Sequence, residues 1–71
     1  MEKDYEKLLL KMAASIKHLR KQRNITQEQM VDFGFNYRFF QKIESGRYSP
    51  NLFTLHRLAK TFKVKVQDHF C

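Results

Sequence analysis

The chain has few of the residues that crosslink a protein or interrupt its helices. Its 71 residues include one cysteine, one proline and two glycines. Cys71 has no second cysteine to pair with, so an internal disulfide is excluded, and one unpaired thiol is consistent with a reducing compartment. A chain of this length forms at most one small domain, which is marginal unless helix packing or a partner supports it.

Long apolar runs are also missing. The run Leu8 to Leu10 is far too short for a secretory signal or a membrane span, and acids and bases are mixed around it. The sequence contains no repeat, no low-complexity tract and no linker. We therefore expect a soluble, cytoplasmic protein in which residues 1–71 form a single domain.

Acidic residues are scarce relative to basic ones. There are 14 lysines and arginines against 7 acids, a formal net charge of +7. Such an excess favours an anionic partner, most commonly nucleic acid, but scattered lysines also keep small domains soluble. Residues 24–50 carry three bases and three acids, so a contact with DNA in that segment depends on where each base lies.

The apolar residues follow a helical period. Tyr5, Leu9, Met12, Ile16 and Leu19 step by four and three residues, which predicts a first helix over about residues 4–23.

Two short helices are expected next, over about residues 26–45. Thr26 and Gln29 form a capping box at the start of the first of them, and Gly34 ends it. Asn36 caps the second, which ends before Gly46. Short helices separated by about three residues cross steeply, and that is the helix-turn-helix arrangement.

Two further helices complete the expected bundle, over about residues 51–70. Asn51 caps the fourth helix after Pro50, and a fifth runs from about Val66 to Phe70. The predicted buried stripe of the fourth helix is Leu52, Leu55, Leu58, Ala59 and Phe62. The predicted fold class is therefore all-α, a compact bundle of about five helices.

The third helix has one face suited to DNA. Phe40 and Ile43 are three residues apart and are expected in the core. The face that then points outward carries Tyr37, Arg38, Gln41 and Lys42. Hydrogen-bond donors and planar groups on an exposed helix are suited to base edges in a major groove.

At these positions the chain resembles the phage-repressor (Cro/Xre) class of helix-turn-helix proteins, which has a lambda-repressor-like fold. The likeness covers about residues 16 to 70. The residues that carry it are Leu19-Arg20, Ile25-Thr26-Gln27-Glu28, Gly34, Ile43-Glu44-Ser45-Gly46, Pro50, Leu55 and Leu58-Ala59-Lys60. The chain departs from the class at Val31, where a small residue is usual, at Lys63, where glycine is frequent, and in a segment from Gln27 to Gly34 that is one residue shorter.

The resemblance implies roles for individual residues. Gln27 and Asn36 would contact phosphates at the starts of the second and third helices. Tyr37, Arg38 and Lys42 match base-reading positions, with Gln41 close by. Arg47 and Tyr48 would reach the DNA backbone. Arg20 and Glu44 match a structural ion pair between the first and third helices.

Two aromatic residues have two interpretations each. Phe39 either meets a thymine methyl group or packs against the first helix. Phe53 occupies a position that is usually polar in the class, and is either a partner contact or a half-buried side chain.

No enzyme or metal site is expected. His18, His56 and His69 lack the spacing of metal ligands, and no nucleophile or paired carboxylate has a plausible base beside it. We expect no cofactor and no small-molecule ligand.

The leading hypothesis is a sequence-specific double-stranded DNA-binding regulator that acts as a homodimer. It could be a repressor, a restriction–modification controller or an antitoxin. The alternative is a protein-interaction module that does not read DNA. The apolar residues near the chain end, Val64, Val66 and Phe70, are the expected dimer interface, and Tyr5, Leu8 and Leu9 of the first helix are the competing one.

Overall fold

The computed structural model describes residues 3–70, and the regular structure in this range is helical. The elements are α1 (Lys3–Gln22), a 3₁₀ helix (Glu28–Phe33), α2 (Tyr37–Glu44), α3 (Leu52–Phe62) and α4 (Val66–His69). The expected fold class, an all-α bundle with a helix-turn-helix, is confirmed. Over the same range, no helix is both long enough and apolar enough to cross a membrane.

The core lies where α1, the 3₁₀ helix, α2 and α3 meet. Its largest fully buried side chains are Phe40, Phe62, Ile16, Met30, Ile43 and Leu58. The stripe predicted for α3 is buried except at Leu52, which is 72% exposed. Leu52 is the first residue of the helix and lies beyond the edge of the core. Thr54 is buried near this end of the helix instead.

Side-chain caps set the helix starts as the sequence predicts. The Thr26 hydroxyl accepts the Gln29 N–H at 3.1 Å, and the Gln29 side chain accepts the Thr26 N–H at 2.8 Å. Asn36 accepts the Phe39 N–H at 3.0 Å at the start of α2. Asn51 caps α3 in the same way. These bonds satisfy backbone donors that a helix N-terminus leaves without partners.

The second helix differs from the expected α-helix, because it is wound as a 3₁₀ helix. Its backbone bonds join Met30 N–H to the Gln27 carbonyl and Gly34 N–H to the Val31 carbonyl. A 3₁₀ helix rises about 2.0 Å per residue against about 1.5 Å for an α-helix, so six residues span the length of about eight.

This winding also changes which side chains face the core. Met30 is fully buried, whereas Val31 is 50% exposed and Phe33 is exposed as well. Val31, one of the departures noted from sequence, therefore lies on the exposed side of this helix. Gly34 ends the helix with a φ of +90°, a conformation that a side chain would strain.

Candidate nucleic-acid interface

The face of α2 that points away from the core is polar and exposed. Phe40 and Ile43 anchor the helix in the core, as expected. Arg38, Gln41 and Lys42 are exposed, and Tyr37 is exposed at the helix start. A helix eight residues long is thereby held by one side while the other remains accessible.

A shallow open concavity runs from this face onto the loop that follows α2. Its lining residues are Arg38, Gln41, Lys42, Ser45, Arg47 and Tyr48. All three basic residues of the segment 24–50 are among them. The segment is neutral by sequence, but the fold collects its positive charges on one surface.

The acids of the same segment lie away from this surface or are neutralised. Glu28 and Asp32 are exposed on the 3₁₀ helix. Glu44 points inward and accepts two bonds from Arg20, from Nε to Oε2 at 2.7 Å and from Nη2 to Oε1 at 3.2 Å. The two side chains are only 8% and 3% exposed. The concavity therefore presents cationic groups without a carboxylate among its lining residues.

The Arg20–Glu44 ion pair fixes the end of α2 to α1. Arg20 also donates from Nη1 to the Ile25 carbonyl at 2.7 Å, so its guanidinium ties together three parts of the chain. A bidentate, buried pair with its remaining donor satisfied has the geometry that offsets the cost of removing both charges from water. It holds the orientation of α2 relative to the rest of the bundle.

Gln27 continues this network to the surface. Its Nε2 donates to Glu44 Oε1 at 2.9 Å, and its Oε1 accepts from Gln41 Nε2 at 3.3 Å. Gln27 is only partly exposed, so its side chain is directed along α2 rather than freely into solvent. A chain of hydrogen bonds thus runs from the buried ion pair to a side chain on the outer face of α2.

Asn36 has a structural task in the free protein. Its side-chain oxygen is occupied by the α2 cap, while the residue remains exposed. The side-chain NH₂ group is the part of Asn36 that can still donate to an anion.

The loop after α2 is held by three local contacts. The Ser45 hydroxyl donates to the Lys42 carbonyl at 2.7 Å and accepts the Arg47 N–H at 3.3 Å. The ring of Tyr48 meets the ring of Phe39 edge-on, with centroids 4.9 Å apart. Phe39 is partly buried and packs against the core as well as against Tyr48.

Arg57 supports the turn of the helix-turn-helix, a role that the sequence patterns did not indicate. Its guanidinium lies 4.6 Å from the centroid of the Phe35 ring and donates to the Gly34 carbonyl at 3.0 Å. Arg23 acts similarly at the end of α3, where it donates to the Phe62 carbonyl at 2.7 Å. Each contact joins residues far apart in sequence, so neither periodicity nor capping motifs could indicate it.

The residues expected at a dimer interface belong largely to the protein's own core. Phe70 is 6% exposed and lies in the core cluster, against which Val64 and Val66 are packed. The chain turns back after α3 through a bond from the Val64 N–H to the Ala59 carbonyl, which brings α4 onto α3. Phe70 is therefore covered by the protein's own core, and Val64 and Val66 are only partly exposed. Of the competing set, Leu9 is also buried, while Tyr5 and Leu8 are exposed.

The described part of the chain, residues 3–70, contains no group of three histidine, cysteine, aspartate or glutamate side chains that could hold a metal ion. Cys71, the single cysteine, lies outside this range.

Fold and surface together define a small helix-turn-helix protein with a cationic face on α2 and the loop that follows it. Known proteins agree with this class. Over 60 residues the chain is 35% identical to an uncharacterized HTH-type transcriptional regulator of Methanocaldococcus jannaschii, with 83% of this chain and 91% of the relative covered.

A second relative has the same description. Over 60 residues the chain is 32% identical to an uncharacterized HTH-type transcriptional regulator of Archaeoglobus fulgidus, with 83% of this chain and 84% of the relative covered. No family model and no solved structure matches the chain. The chain belongs to the family of HTH-type transcriptional regulators.

Proposed function

We propose that this protein is a sequence-specific, double-stranded DNA-binding transcriptional regulator of the Cro/Xre type. The observation that carries the proposal is the position of Arg38, Lys42 and Arg47 on one surface beside the exposed side of α2. Duplex DNA offers a major groove wide enough for such a helix, flanked by rows of phosphates.

The proposed roles follow from where each side chain lies. Arg38, on the exposed face near the start of α2, forks onto a guanine edge, while Tyr37, Gln41 and Lys42 contact neighbouring bases. Arg47 and Tyr48 lie beyond the helix and contact phosphates, which fix register without reading sequence.

Gln27 and Asn36 have more restricted roles than the family likeness implies. The hydrogen bonds of Gln27 to Glu44 and Gln41 support a role in orienting Gln41 against a base. Its phosphate contact then uses the second N–H of its side-chain amide. Asn36 contacts phosphate through its side-chain NH₂ group, since its oxygen caps α2.

We propose that the protein binds DNA as a homodimer. One helix as short as α2 reads only a few base pairs, and a two-fold axis would place two copies on half-sites about 10 base pairs apart. Such a protein is not an enzyme, and it acts in the cytoplasm on the DNA present there. A repressor, a restriction–modification controller and an antitoxin are all compatible with this activity.

Selection of bound sites from random duplex DNA tests the proposal. The wild type should enrich a two-fold symmetric sequence, and its affinity should fall steeply with salt because bound phosphates release counterions. A double Arg38→Ala, Lys42→Ala variant should lose the enrichment. The matched control is Lys7→Ala, Lys11→Ala, which removes the same charge from exposed positions of α1.

The control variant should enrich the same sequence as the wild type. Failure of the wild type to enrich any sequence, with weak binding that depends little on salt, would favour the protein-interaction module instead. Equal losses in the two double variants would show that net charge, rather than the surface beside α2, determines binding.

A further inference from the structure

The start of α3 carries the two most exposed large apolar side chains in residues 3–70. Leu52 is 72% exposed and Phe53 is 67% exposed. They are consecutive, and neither belongs to the core cluster. A phenylalanine and a leucine side by side on a surface are costly to hydrate, so covering both with another molecule is favourable.

This patch lies next to the cationic concavity that is proposed to bind DNA. Only residues 49–51 separate Leu52 from Tyr48, which lines the cationic concavity. Pro50 is buried in this connection and Asn51 caps α3, so the patch has a fixed position relative to the loop. A molecule that covers Leu52 and Phe53 therefore lies next to the DNA that the loop would contact.

We infer that Leu52 and Phe53 pack against the same residues of a second copy of this chain when two copies occupy adjacent half-sites. This inference rests on the proposed function and deepens it. An isologous contact here places the two-fold axis beside both Arg47–Tyr48 loops. Both copies then present α2 to the same side of the duplex, one on each side of the axis.

The size of the patch indicates that this contact forms on DNA rather than in free solution. A large aromatic side chain buries only about 150–250 Å², whereas a stable interface takes about 800 Å² from each partner. Two side chains per copy supply a fraction of that. We therefore expect a monomer in free solution, with the operator bringing two copies close enough for a weak contact to matter.

The apolar surface on α1 is less suited to this geometry. Leu8, Met12 and Phe70 line a small cleft between α1 and the chain end. Leu8 lies almost opposite Leu10 around α1, because two residues turn a helix by about 200°. Leu10 is the residue that contacts Gly46 at the end of α2. An interface through Leu8 would thus form on the flank of α1 turned away from the DNA-facing loop.

The test compares binding to an isolated half-site with binding to a full site of two half-sites. The wild type should sediment as a monomer and bind the full site cooperatively. Leu52→Ser with Phe53→Ser should leave half-site affinity unchanged and reduce the cooperativity by about tenfold or more, the usual effect of removing a central aromatic side chain from an interface. Leu8→Ser, another exposed leucine, is the matched control and should bind like the wild type.

A spacing variant of the DNA provides an independent check. Inserting about five base pairs rotates one half-site by about half a turn and should abolish cooperativity for the wild type. Melting temperatures of the variants should match the wild type, since both residues lie outside the core.

Several results would overturn the inference. These are a dimer in solution that survives the double substitution, cooperativity abolished by Leu8→Ser, or equal weakening on half-site and full site in the double variant. The last would mean that Leu52 and Phe53 touch DNA. Sequence preference on the half-site reports on the proposed function separately. If the wild type keeps its sequence preference but binds the full site without cooperativity, only the contact between copies is overturned. If the wild type has no sequence preference, both the contact and the proposed function are overturned.

Discussion

Replacing Glu44 with alanine should destabilise the fold strongly. The change leaves the Arg20 guanidinium buried without its carboxylate, since the two side chains are 8% and 3% exposed and their closest atoms are 2.7 Å apart. Breaking a buried pair from one side costs about 3–5 kcal/mol. Arg20 keeps its bond to the Ile25 carbonyl, so we expect the lower end, about 3 kcal/mol.

This loss is large for a small domain. One kcal/mol shifts the melting temperature of a domain of this size by about 4–8 °C, so the midpoint should fall by about 12–24 °C. Thermal unfolding followed by circular dichroism measures it. The control is Glu28→Ala, an exposed acid on the 3₁₀ helix, which should change stability by no more than about 0.5 kcal/mol.

A double variant separates charge from packing. Arg20→Met with Glu44→Leu removes both charges and fills similar volume, so it should recover much of the stability that Glu44→Ala removes. Equal melting temperatures for Glu44→Ala and Glu28→Ala would refute the reasoning. The buried ion pair would then stabilise the fold no more than an exposed acid does. Among molecules that remain folded, Glu44→Ala should keep the preference at the base that Arg38 contacts, and it should relax only the preference at the base that Gln41 contacts, because Gln27 loses its bond to Glu44.

Three further substitutions test separate parts of the structure. Gly34→Ala should cost about 1–2 kcal/mol in chemical denaturation, because an L-residue is strained at a φ of +90°; an unchanged midpoint would contradict this. Phe70→Ala should cost about 3 kcal/mol by removing a core side chain, and retained stability with altered oligomerisation would place Phe70 in an interface instead. Gln27→Ala should weaken operator binding by about 1 kcal/mol and relax preference at the base that Gln41 contacts. Equal losses on operator and scrambled duplex would show that Gln27 contacts only phosphate.

Local sequence features anticipated the helix ends well. The capping box at Thr26, the Asn36 and Asn51 caps and the left-handed Gly34 all involve residues within a few positions of one another. The bonds that determine them are short-range, so the sequence pattern specifies them almost completely. The helical period of α1 likewise predicted the burial of Leu9, Ile16 and Leu19, whereas Tyr5 on the same predicted face is exposed and Met12 is only partly buried.

Features that depend on tertiary packing were predicted less well. The 3₁₀ winding of Glu28–Phe33 depends on the distance that this segment spans between α1 and α2, which no local pattern encodes. The same limit explains Phe70, which is covered because α4 returns onto α3. Leu52 fits the apolar period of α3, but the core ends before it.

The cationic face shows both the strength and the limit of sequence reasoning. Family likeness gave the positions of Arg38, Lys42 and Arg47, while the charge count of their segment gave no net excess. Their grouping arises because Glu44 turns inward to Arg20 and the remaining acids lie on another helix. Net charge along a chain therefore understates the field that a folded surface presents.

Comparing Arg38→Ala with Arg47→Ala on the selected operator and a scrambled duplex tests the central claim most directly. Arg38→Ala should cost about 1–3 kcal/mol per half-site on the operator and little on the scrambled duplex. Arg47→Ala should weaken binding to both duplexes equally and make the log–log salt slope shallower by about one for each phosphate that the protein no longer binds. If Arg38→Ala lowers both affinities equally, Arg38 contacts phosphate only, and α2 does not read the major groove as proposed.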